Sequence, residues 1–194
     1  MSTLQERKKV VCDHLMSIIP IDPQFSLYYD DENHSIDFIF WEKLPEESDV
    51  LISTLAFSYY EQYEFGKPYK KARLELLGAC HKQYNDIFQA IMSTCVFCVI
   101  NNKWTLSPGM IFPDIVKMYG VSDTMQHVYF DSPFLWPESL SCVYLDNVRT
   151  GWVMPIPISE AEYQYAINHN VEALGELLAD NDIDYRDLRR ASVL

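Results

Sequence analysis

The stretch from Gly151 to Asp180 reads GWVMPIPISEAEYQYAINHNVEALGELLAD and joins a short apolar segment to two helical segments. Pro155 and Pro157 lack a backbone N–H and lie two residues apart, so we expect them on an edge strand or at the end of one. Ser159 and Glu162 form the S-x-x-E pattern of a capping box, which predicts that a helix begins after Ser159. A second apolar stripe with helical spacing follows: Val171, Leu174, Leu177 and Leu178.

Aromatic and β-branched segments elsewhere predict a β-sheet. The segment FSLYYDDENHSIDFIFWEK (25–43) has two such arms around an acidic turn and is typical of a hairpin. Its second arm carries apolar side chains on both faces, so we expect both faces to be covered. Further strands are predicted within VLISTLAFSYY (50–60), KKARLELLGAC (70–80), WTLSPGMIF (104–112), SLSCVYLD (139–146) and RTGWVMPIPI (149–158). In KKARLELLGAC, alternation places Arg73 and Glu75 opposite the apolar side.

Two longer segments are predicted to be helices. LQERKKVVCDHLMSII (4–19) carries an apolar stripe opposite its charges, which is typical of an amphipathic helix that ends before Pro20. QYNDIFQAIMSTCVFCVINN (83–102) is apolar nearly all round after Ile87 and is predicted to be a buried helix. Residues 113–137 show no regular pattern, so we expect an irregular segment there.

Length and composition are those of a folded domain. The chain has 194 residues, of which 48% are hydrophobic, and this is enough for a sizeable core. Together with the predicted segments, it indicates an α+β fold in which a mixed β-sheet is flanked by helices. We expect residues 1–24 to form an N-terminal amphipathic helix that packs on a single domain formed by residues 25–194.

The net charge of −13 is unevenly distributed. The segment Val10–Gly66 carries one basic and twelve acidic residues, whereas Lys67–Lys103 carries six basic and two acidic ones. Such a surface repels nucleic acid and anionic membranes and favours a basic partner. Ordinary solubility charge is the alternative, since net charge by itself identifies no site. We therefore expect a protein partner, with no nucleic acid and no membrane.

Residues with catalytic or metal-binding chemistry form no recognisable motif. The cysteines are odd in number and no signal pattern precedes them, so we expect reduced thiols in the cytoplasm. Cys95 and Cys98 form a C-x-x-C pair deep in an apolar run, which is typical of core packing. The histidines lack metal-ligand spacing. We expect no catalytic residue, no metal and no cofactor; a thiol enzyme that uses Cys95 and Cys98 is the alternative.

Two acidic turns and one aromatic segment are candidate partner-binding sites. We expect both turns on the same side of the strand pair, where their carboxylates would face a basic protein; solvated turns are the alternative. The aromatic segment is flanked by Pro133 and Pro137 and would form an apolar anchor, since aromatic residues dominate interface hot spots, or would pack in the core. The candidate residues are Asp30, Asp31, Glu32, Glu46, Glu47, Asp49, Phe134 and Trp136.

Five segments occur in an order that resembles one known family: LISTLAFSYYEQY (51–63), ARLELLGAC (72–80), DIFQAIMSTCVFCV (86–99), TLSPGMIF (105–112) and the stretch quoted first. This order resembles the suppressor-of-fused-like domain family. The closing segment matches best, because it follows the family's P-I-T-x-x-E pattern at Pro157, Ile158, Ser159 and Glu162. Ala56 departs from the pattern, since the family has Gly at this position, and Met110 stands where the family commonly has His.

The resemblance implies a non-enzymatic binding domain. Animal members of the family bind a transcription factor peptide, whereas bacterial single-domain members resemble immunity proteins encoded beside secreted toxins. The length of this chain is similar to that of the bacterial kind. The implied function is that of an immunity protein that covers the basic active site of a toxin. The alternative is a scaffold or regulator that binds an extended peptide by strand addition, and a homodimer is left open.

Overall fold

The computed structural model describes residues 3–134, 140 and 142–194. Its helices are α1 (Leu4–Ile18), α2 (Asn85–Asn102), α3 (Glu160–Asn168) and α4 (Val171–Asp180). Its strands are β1 (Gln24–Tyr29), β2 (Ser35–Glu42), β3 (Asp49–Leu55), β4 (Tyr63–Glu64), β5 (Lys67–Pro68), β6 (Ala72–His81), β7 (Ile111–Phe112), β8 (Met125–Asp131), β9 (Val143–Leu145) and β10 (Val148–Ser159). This confirms the α+β class, the first hairpin and all the predicted helices.

One mixed sheet forms the centre of the molecule. Its strand order is β1-β2-β3-β6-β10-β8-β7, and β9 pairs with the first residues of β10. The β6–β10 pair is parallel, whereas the other neighbours in the sheet are antiparallel. β4 and β5 form a separate small hairpin. β10 therefore joins the meander β1-β2-β3-β6 to the strands β8 and β7.

β10 is a central strand and not an edge strand, but its two prolines lie near its end, past its last pair with β6, so the expected place at the end of a strand is confirmed. β10 pairs with β6 up to Val153 and with β8 from Met154 onwards. An antiparallel ladder alternates hydrogen-bonded and non-hydrogen-bonded pairs, and a residue without an N–H fits the second kind. The side of each proline that lacks an N–H therefore faces away from β8. On that side of β10 the pairing with β6 has already ended. There Arg190 Nη2 donates to the Pro157 carbonyl at 3.0 Å.

β8 lies in the segment that we expected to be irregular, and that prediction was wrong. Its sequence MQHVYFD contains three polar residues, yet five of its seven residues are buried. The buried His127 accepts the Asp114 N–H at its Nδ1 atom at 2.8 Å, and its Nε2 atom lies 2.9 Å from a Glu160 oxygen. His127 is a polar residue in a buried strand, and these two partners satisfy the hydrogen-bonding groups of its ring.

Helices cover both faces of the sheet, as the apolar pattern of β2 predicted. Ile36 and Phe38 belong to the same apolar cluster as Phe88 on α2. The other face of β2 contributes Ile39 and Trp41 to a second cluster that contains α1: its buried residues are Val11, Leu15, Ile19, Ile39, Trp41, Leu51, Leu55, Leu77, Ala79, Leu145 and Trp152. The long buried helix α2 and the amphipathic helix α1 therefore lie on opposite faces of the sheet.

The predicted capping box is present at the start of α3, and its Glu162 also forms a buried ion pair. The Glu162 N–H donates to Ser159 Oγ at 3.1 Å, and the Ser159 N–H donates to Glu162 Oε2 at 2.8 Å. Arg190 then places Nη1 and Nη2 each 2.7 Å from a Glu162 oxygen. Glu162 is fully buried, and the Val193 N–H also donates to it at 3.1 Å. The C-terminal segment is thereby fixed to the end of β10.

Glu162→Gln should destabilise the fold strongly. The substitution keeps the shape of the side chain but leaves the Arg190 guanidinium buried without a counter-charge, and removing one partner of a buried pair costs about 3 to 5 kcal/mol. Urea unfolding at neutral pH measures this loss. Glu176→Gln on the exposed side of α4 is the matched control, and we expect it to change the free energy of unfolding by less than about 0.5 kcal/mol. Equal stability of the two variants would contradict this role of Glu162.

A second buried carboxylate, Glu75 on β6, organises the turn after β3. Glu75 is fully buried, although its strand position predicted the polar side. It accepts hydrogen bonds from Thr54 Oγ1 at 2.6 Å, from the Phe57 N–H at 3.0 Å and from the Ser58 N–H at 2.9 Å. Burial raises the pKa of Glu75 from 4.5 to about 7, although these donors favour the charged form. Its protonation state is therefore linked to folding.

Glu75→Gln should change how stability depends on pH. Because the folded-state pKa of Glu75 is raised, its protonated form stabilises the fold fully below pH 4.5, and this contribution is lost as the pH rises through about 7. Between about pH 5 and about pH 8, the stability of the variant should therefore gain up to about 3 kcal/mol relative to the wild type. Urea unfolding of both proteins at each pH measures this change. A constant difference across the range would contradict a raised pKa.

Candidate functional site

The two acidic turns lie at opposite ends of β2, so the expectation that they share one side was wrong. The first turn joins β1 to β2 and the second joins β2 to β3. Successive turns of an antiparallel meander lie at opposite ends of the shared strand. β2 has eight residues and spans about 27 Å, because a strand rises about 3.4 Å per residue. The two turns therefore cannot form one continuous acidic patch.

The carboxylates of these turns differ in exposure. Asp31 and Glu32 are exposed, whereas both oxygens of Asp30 hold the turn together by accepting from the His34 N–H at 2.7 Å and from Asn101 Nδ2 at 2.8 Å. Asp30 is thus a structural residue of the turn. The exposed pair remains available to a partner at this end of β2.

At the other end of β2, the prediction that Asp49 faces a partner was wrong. Asp49 is fully buried and lies 2.9 Å from His81 Nδ1 and 2.8 Å from Arg186 Nη1. This cluster ties β3 and β6 to the C-terminal segment, so the carboxylate is used internally. Glu46 and Glu47 are exposed, and they pair with Arg186 at 3.0 Å and with Lys43 at 2.5 Å respectively.

Phe134 stands at the rim of an apolar cavity beside α4. Its side chain is 57% exposed, and its ring packs edge-on against Tyr185 with the centroids 5.2 Å apart. The cavity has a volume of about 280 Å³. Its lining residues come from β8, the residues after β8, β10, α4 and the segment that follows α4: Tyr129, Asp131, Phe134, Ile156, Gly175, Leu178, Ala179, Asp182, Ile183 and Tyr185. Trp136, the second predicted aromatic anchor, lies outside the described residues.

The cavity is acidic as well as apolar. Asp131 and Asp182 line it, and a neighbouring cavity of about 390 Å³ shares Asp131 and adds Glu172 and Glu176. Within the described chain, no Lys, Arg or His lines either cavity. Burial, with Asp131 and Glu172 nearby, raises the pKa of Tyr129 to about 12, so its hydroxyl stays a hydrogen-bond donor. We call these two adjoining cavities the acidic cleft.

The acidic cleft is suited to a positively charged side chain. Apolar walls such as Ile156 and Leu178 would cover the aliphatic stem, and the aromatic faces and carboxylates would surround the charge. Gly175 lines the cavity and has no side chain to fill it. A Cβ there would lie 3.1 Å from the Tyr129 hydroxyl. Phe134 was predicted from the sequence, whereas Tyr129 and Asp131 were not, since they belong to the unpredicted strand β8.

The cysteines give no support to a thiol enzyme. Cys95 is buried on α2, and burial raises the pKa of its thiol well above the ordinary value. Burial also raises the pKa of Cys98 to about 11. A thiol that stays protonated near neutral pH is a poor nucleophile. The C-x-x-C pair therefore packs in the core, as its apolar surroundings indicated.

Metal-binding clusters and membrane-spanning helices are two further classes of site. Within residues 3–134, 140 and 142–194, no group of three or more His, Cys, Asp or Glu side chains is placed to hold a metal ion. None of the helices in this part of the chain is long and apolar enough to cross a membrane. Neither finding adds a candidate site to the acidic cleft and the exposed acidic turns.

The structure is a small α+β domain that carries an open acidic cleft. Comparison with known proteins gives the family: the model of the suppressor of fused protein (SUFU) family matches residues 32–191, and the chain belongs to that family. It is 36% identical over 192 residues to Immunity protein YqcF of Bacillus subtilis (strain 168), with 97% of this chain and 98% of that protein covered. The predicted resemblance is thus confirmed.

Solved structures share the fold at low sequence identity. A SUFU homologue from Neisseria gonorrhoeae FA 1090 superposes with a TM-score of 0.70 at 15% identity, covering 98% of both chains. A chain of the Sufu–Fu complex gives 0.65 at 14% identity, covering 96% of this chain and 92% of that one. Drosophila Suppressor of Fused gives 0.62 at 13% identity over 94% of this chain, which spans 50% of that protein.

The thiols of α2 should be unreactive in the folded protein. Because Cys95 is buried and both pKa values on α2 are raised, a disulfide-exchange reagent at about pH 8 should label neither Cys95 nor Cys98 rapidly. Mass spectrometry after a short exposure identifies the labelled residues, and labelling of all five cysteines in denaturant is the control. Rapid labelling of Cys95 or Cys98 without denaturant would restore the thiol enzyme hypothesis.

Proposed function

We propose that this chain is an immunity protein that neutralises a toxin by binding it. The similarity to an immunity protein carries the proposal, because it extends over almost the full length of both chains at 36% identity. The family also contains a protein whose structure is that of a complex, Sufu–Fu. A binding function needs no catalytic residue. The chain would act by covering the surface with which the toxin meets its substrate.

The partner is a basic toxin domain, and the acidic cleft is its first point of contact. The net charge of −13 would attract such a domain and raise the association rate. At the cleft, an Arg or Lys side chain of the toxin would lie between Asp131 and Asp182 with its stem on Ile156. Basic side chains are typical of an active site that handles anionic substrates, so the same side chains would be removed from the toxin's substrate.

A regulator that captures an extended peptide is the second candidate. It is favoured by β1, which pairs only with β2 among the described residues and leaves one strand edge open. Strand addition needs such an edge. The two candidates differ in what the partner does when it is unbound, because only a toxin kills the cell that makes it.

Co-expression tests the proposed function. A toxin domain encoded beside this chain should stop bacterial growth when it is made alone, and the wild-type chain should restore growth. Asp131→Asn should weaken toxin binding about thirtyfold or more, because losing one partner of a buried charge pair at an interface costs at least about 2 kcal/mol. Asp123→Asn, at an exposed position before β8 begins, is the matched isosteric control and should bind like the wild type.

The salt dependence of the binding rates tests the electrostatic part of the proposal. Raising the salt concentration should slow association much more than dissociation, since screening acts on long-range attraction. Growth arrest that the wild-type chain does not relieve would contradict the immunity function. Restored growth with equal binding of Asp131→Asn and Asp123→Asn would contradict only the assignment of the acidic cleft.

A further inference from the structure

A two-residue turn exposes Phe65 at the tip of the small hairpin β4–β5. Phe65 and Gly66 join the two strands, and both have positive φ angles, 50° and 74°. Such a turn favours Asn or Asp followed by Gly, because a bulky side chain is strained in this conformation. The Phe65 side chain is nevertheless 90% exposed, more than any other large hydrophobic residue described. Neither the turn nor the core therefore explains an aromatic residue at this position.

The hairpin is fixed to the rest of the domain. The Phe65 N–H donates to Thr105 Oγ1 at 3.0 Å. The buried Gln62 donates from Nε2 to the Leu74 carbonyl at 2.7 Å and accepts the Leu74 N–H at Oε1 at 2.7 Å. The Tyr69 N–H donates to the Gln62 carbonyl at 2.7 Å. Phe65 is thus held in place before binding, and a preorganised anchor loses little conformational entropy when it is buried.

The surroundings of Phe65 are basic, although the chain is acidic overall. Lys67, Lys70 and Lys71 follow the turn and are exposed. Glu64 is the one acidic residue between positions 64 and 71. Aromatic residues dominate interface hot spots, and complementary charges around them fix the orientation of the partner. The hairpin therefore fits a surface that combines an apolar pocket with carboxylates.

The acidic cleft of a second copy of this chain has this combination. Phe134 and Tyr185 form an edge-on aromatic pair at the cleft, with the ring centroids 5.2 Å apart. Asp131 and Glu172 are among the carboxylates that line it. Phe65 of another copy would extend the aromatic pair, because aromatic rings favour such edge-on and offset contacts. The lysines beside Phe65 would then face carboxylates.

Pro108 borders both the hairpin and the acidic cleft. A cavity of about 210 Å³ beside the hairpin is lined by Pro108 together with Tyr63 and Tyr69. Pro108 also lines the acidic cleft, next to Gly109. The two surfaces are thus neighbours on one molecule. In a symmetric dimer each contact occurs twice, so a twofold axis near Pro108 would place each hairpin on the cleft of the other copy.

We propose that this chain forms a symmetric dimer in which Phe65 of each copy inserts into the acidic cleft of the other. Lys67, Lys70 and Lys71 lie beside the carboxylates of that cleft. The net charge of −13 opposes association at long range. This repulsion is largely screened beyond about 8 Å at physiological salt, whereas the short contacts at the cleft are not.

The dimer covers the surface that the proposed function assigns to the toxin. A second copy and the toxin would compete for the acidic cleft, so a toxin domain binds only after the second copy has left. This competition rests on the proposed function, whereas the contact between the two copies does not. Self-association of the chain is therefore tested without any toxin.

Phe65→Asn separates the aromatic anchor from the turn. Asn followed by Gly is preferred in this turn, so the variant should be at least as stable as the wild type although its dimer lacks both anchors. In sedimentation equilibrium at micromolar concentrations, the wild type should dimerise and the variant should dimerise about tenfold more weakly or worse. Phe25→Asn removes an exposed ring from β1 and is the control, which should dimerise like the wild type. Thermal unfolding measures the stability of each variant.

Two charge-reversed chains test whether the hairpin meets the cleft of another molecule. One chain carries Lys67→Glu, Lys70→Glu and Lys71→Glu, and the other carries Glu172→Lys and Glu176→Lys. Each chain alone should stay monomeric where the wild type dimerises, because like charges meet in both contacts. A mixture of the two should form a heterodimer, since one of its contacts has both charges reversed and the other has the wild-type charges.

The outcomes separate the dimer from the proposed function. A wild-type chain that stays monomeric at every concentration overturns the dimer, while neutralisation of a toxin by that monomer would still stand. Equal dimerisation of Phe65→Asn and Phe25→Asn, or a charge-reversed mixture that does not associate, overturns the assigned contact. Dimerisation that follows the expected pattern supports the proposal even if no toxin is neutralised, in which case only the proposed function fails.

Discussion

The buried carboxylate of Glu162 joins the end of β10, the start of α3 and the C-terminal segment. It caps α3 through Ser159 and receives the guanidinium of Arg190, which also bonds to the Pro157 carbonyl. Three elements therefore meet at one charged group: the end of the central strand, the start of a helix and the C-terminal segment. Because a buried charge is costly unless it is paired, each of these elements is fixed by the others.

This arrangement explains how two prolines occur within a central strand. β10 pairs with two different strands along its length. Its parallel pairing with β6 ends at Val153, and its antiparallel pairing with β8 begins at Met154. At that transition one side of the strand needs no ladder donors, and proline is tolerated there. The C-terminal segment then supplies the donor that the Pro157 carbonyl requires. The acidic cleft lies on the same strands, with Ile156 of β10 and Asp131 of β8 in its walls.

Local sequence patterns predicted where helices and strands form better than they predicted which elements lie next to each other in the fold. The capping box at Ser159 and the alternation of β2 depend on residues close in sequence, and both were confirmed. The place of β10 in the sheet depends on β6 and on Arg190, which no local pattern reveals. Asp49 and Glu75 were expected at the surface or on a polar side, but their partners lie on other elements. Ala56 has a φ of 67°, a left-handed conformation that glycine adopts more easily. The Gly that the family has at this position therefore indicates this conformation, which helical and strand periodicity do not reveal.

Under the proposed function, this chain neutralises a toxin stoichiometrically by covering it. The most direct test is to titrate the activity of the purified toxin domain with increasing amounts of this chain. The account predicts that toxin activity falls in proportion to the chain added and reaches zero at one chain per toxin. Loss of activity at a small fraction of that ratio would indicate an enzyme that modifies the toxin, and full activity at excess chain would exclude neutralisation. Either result would contradict the account.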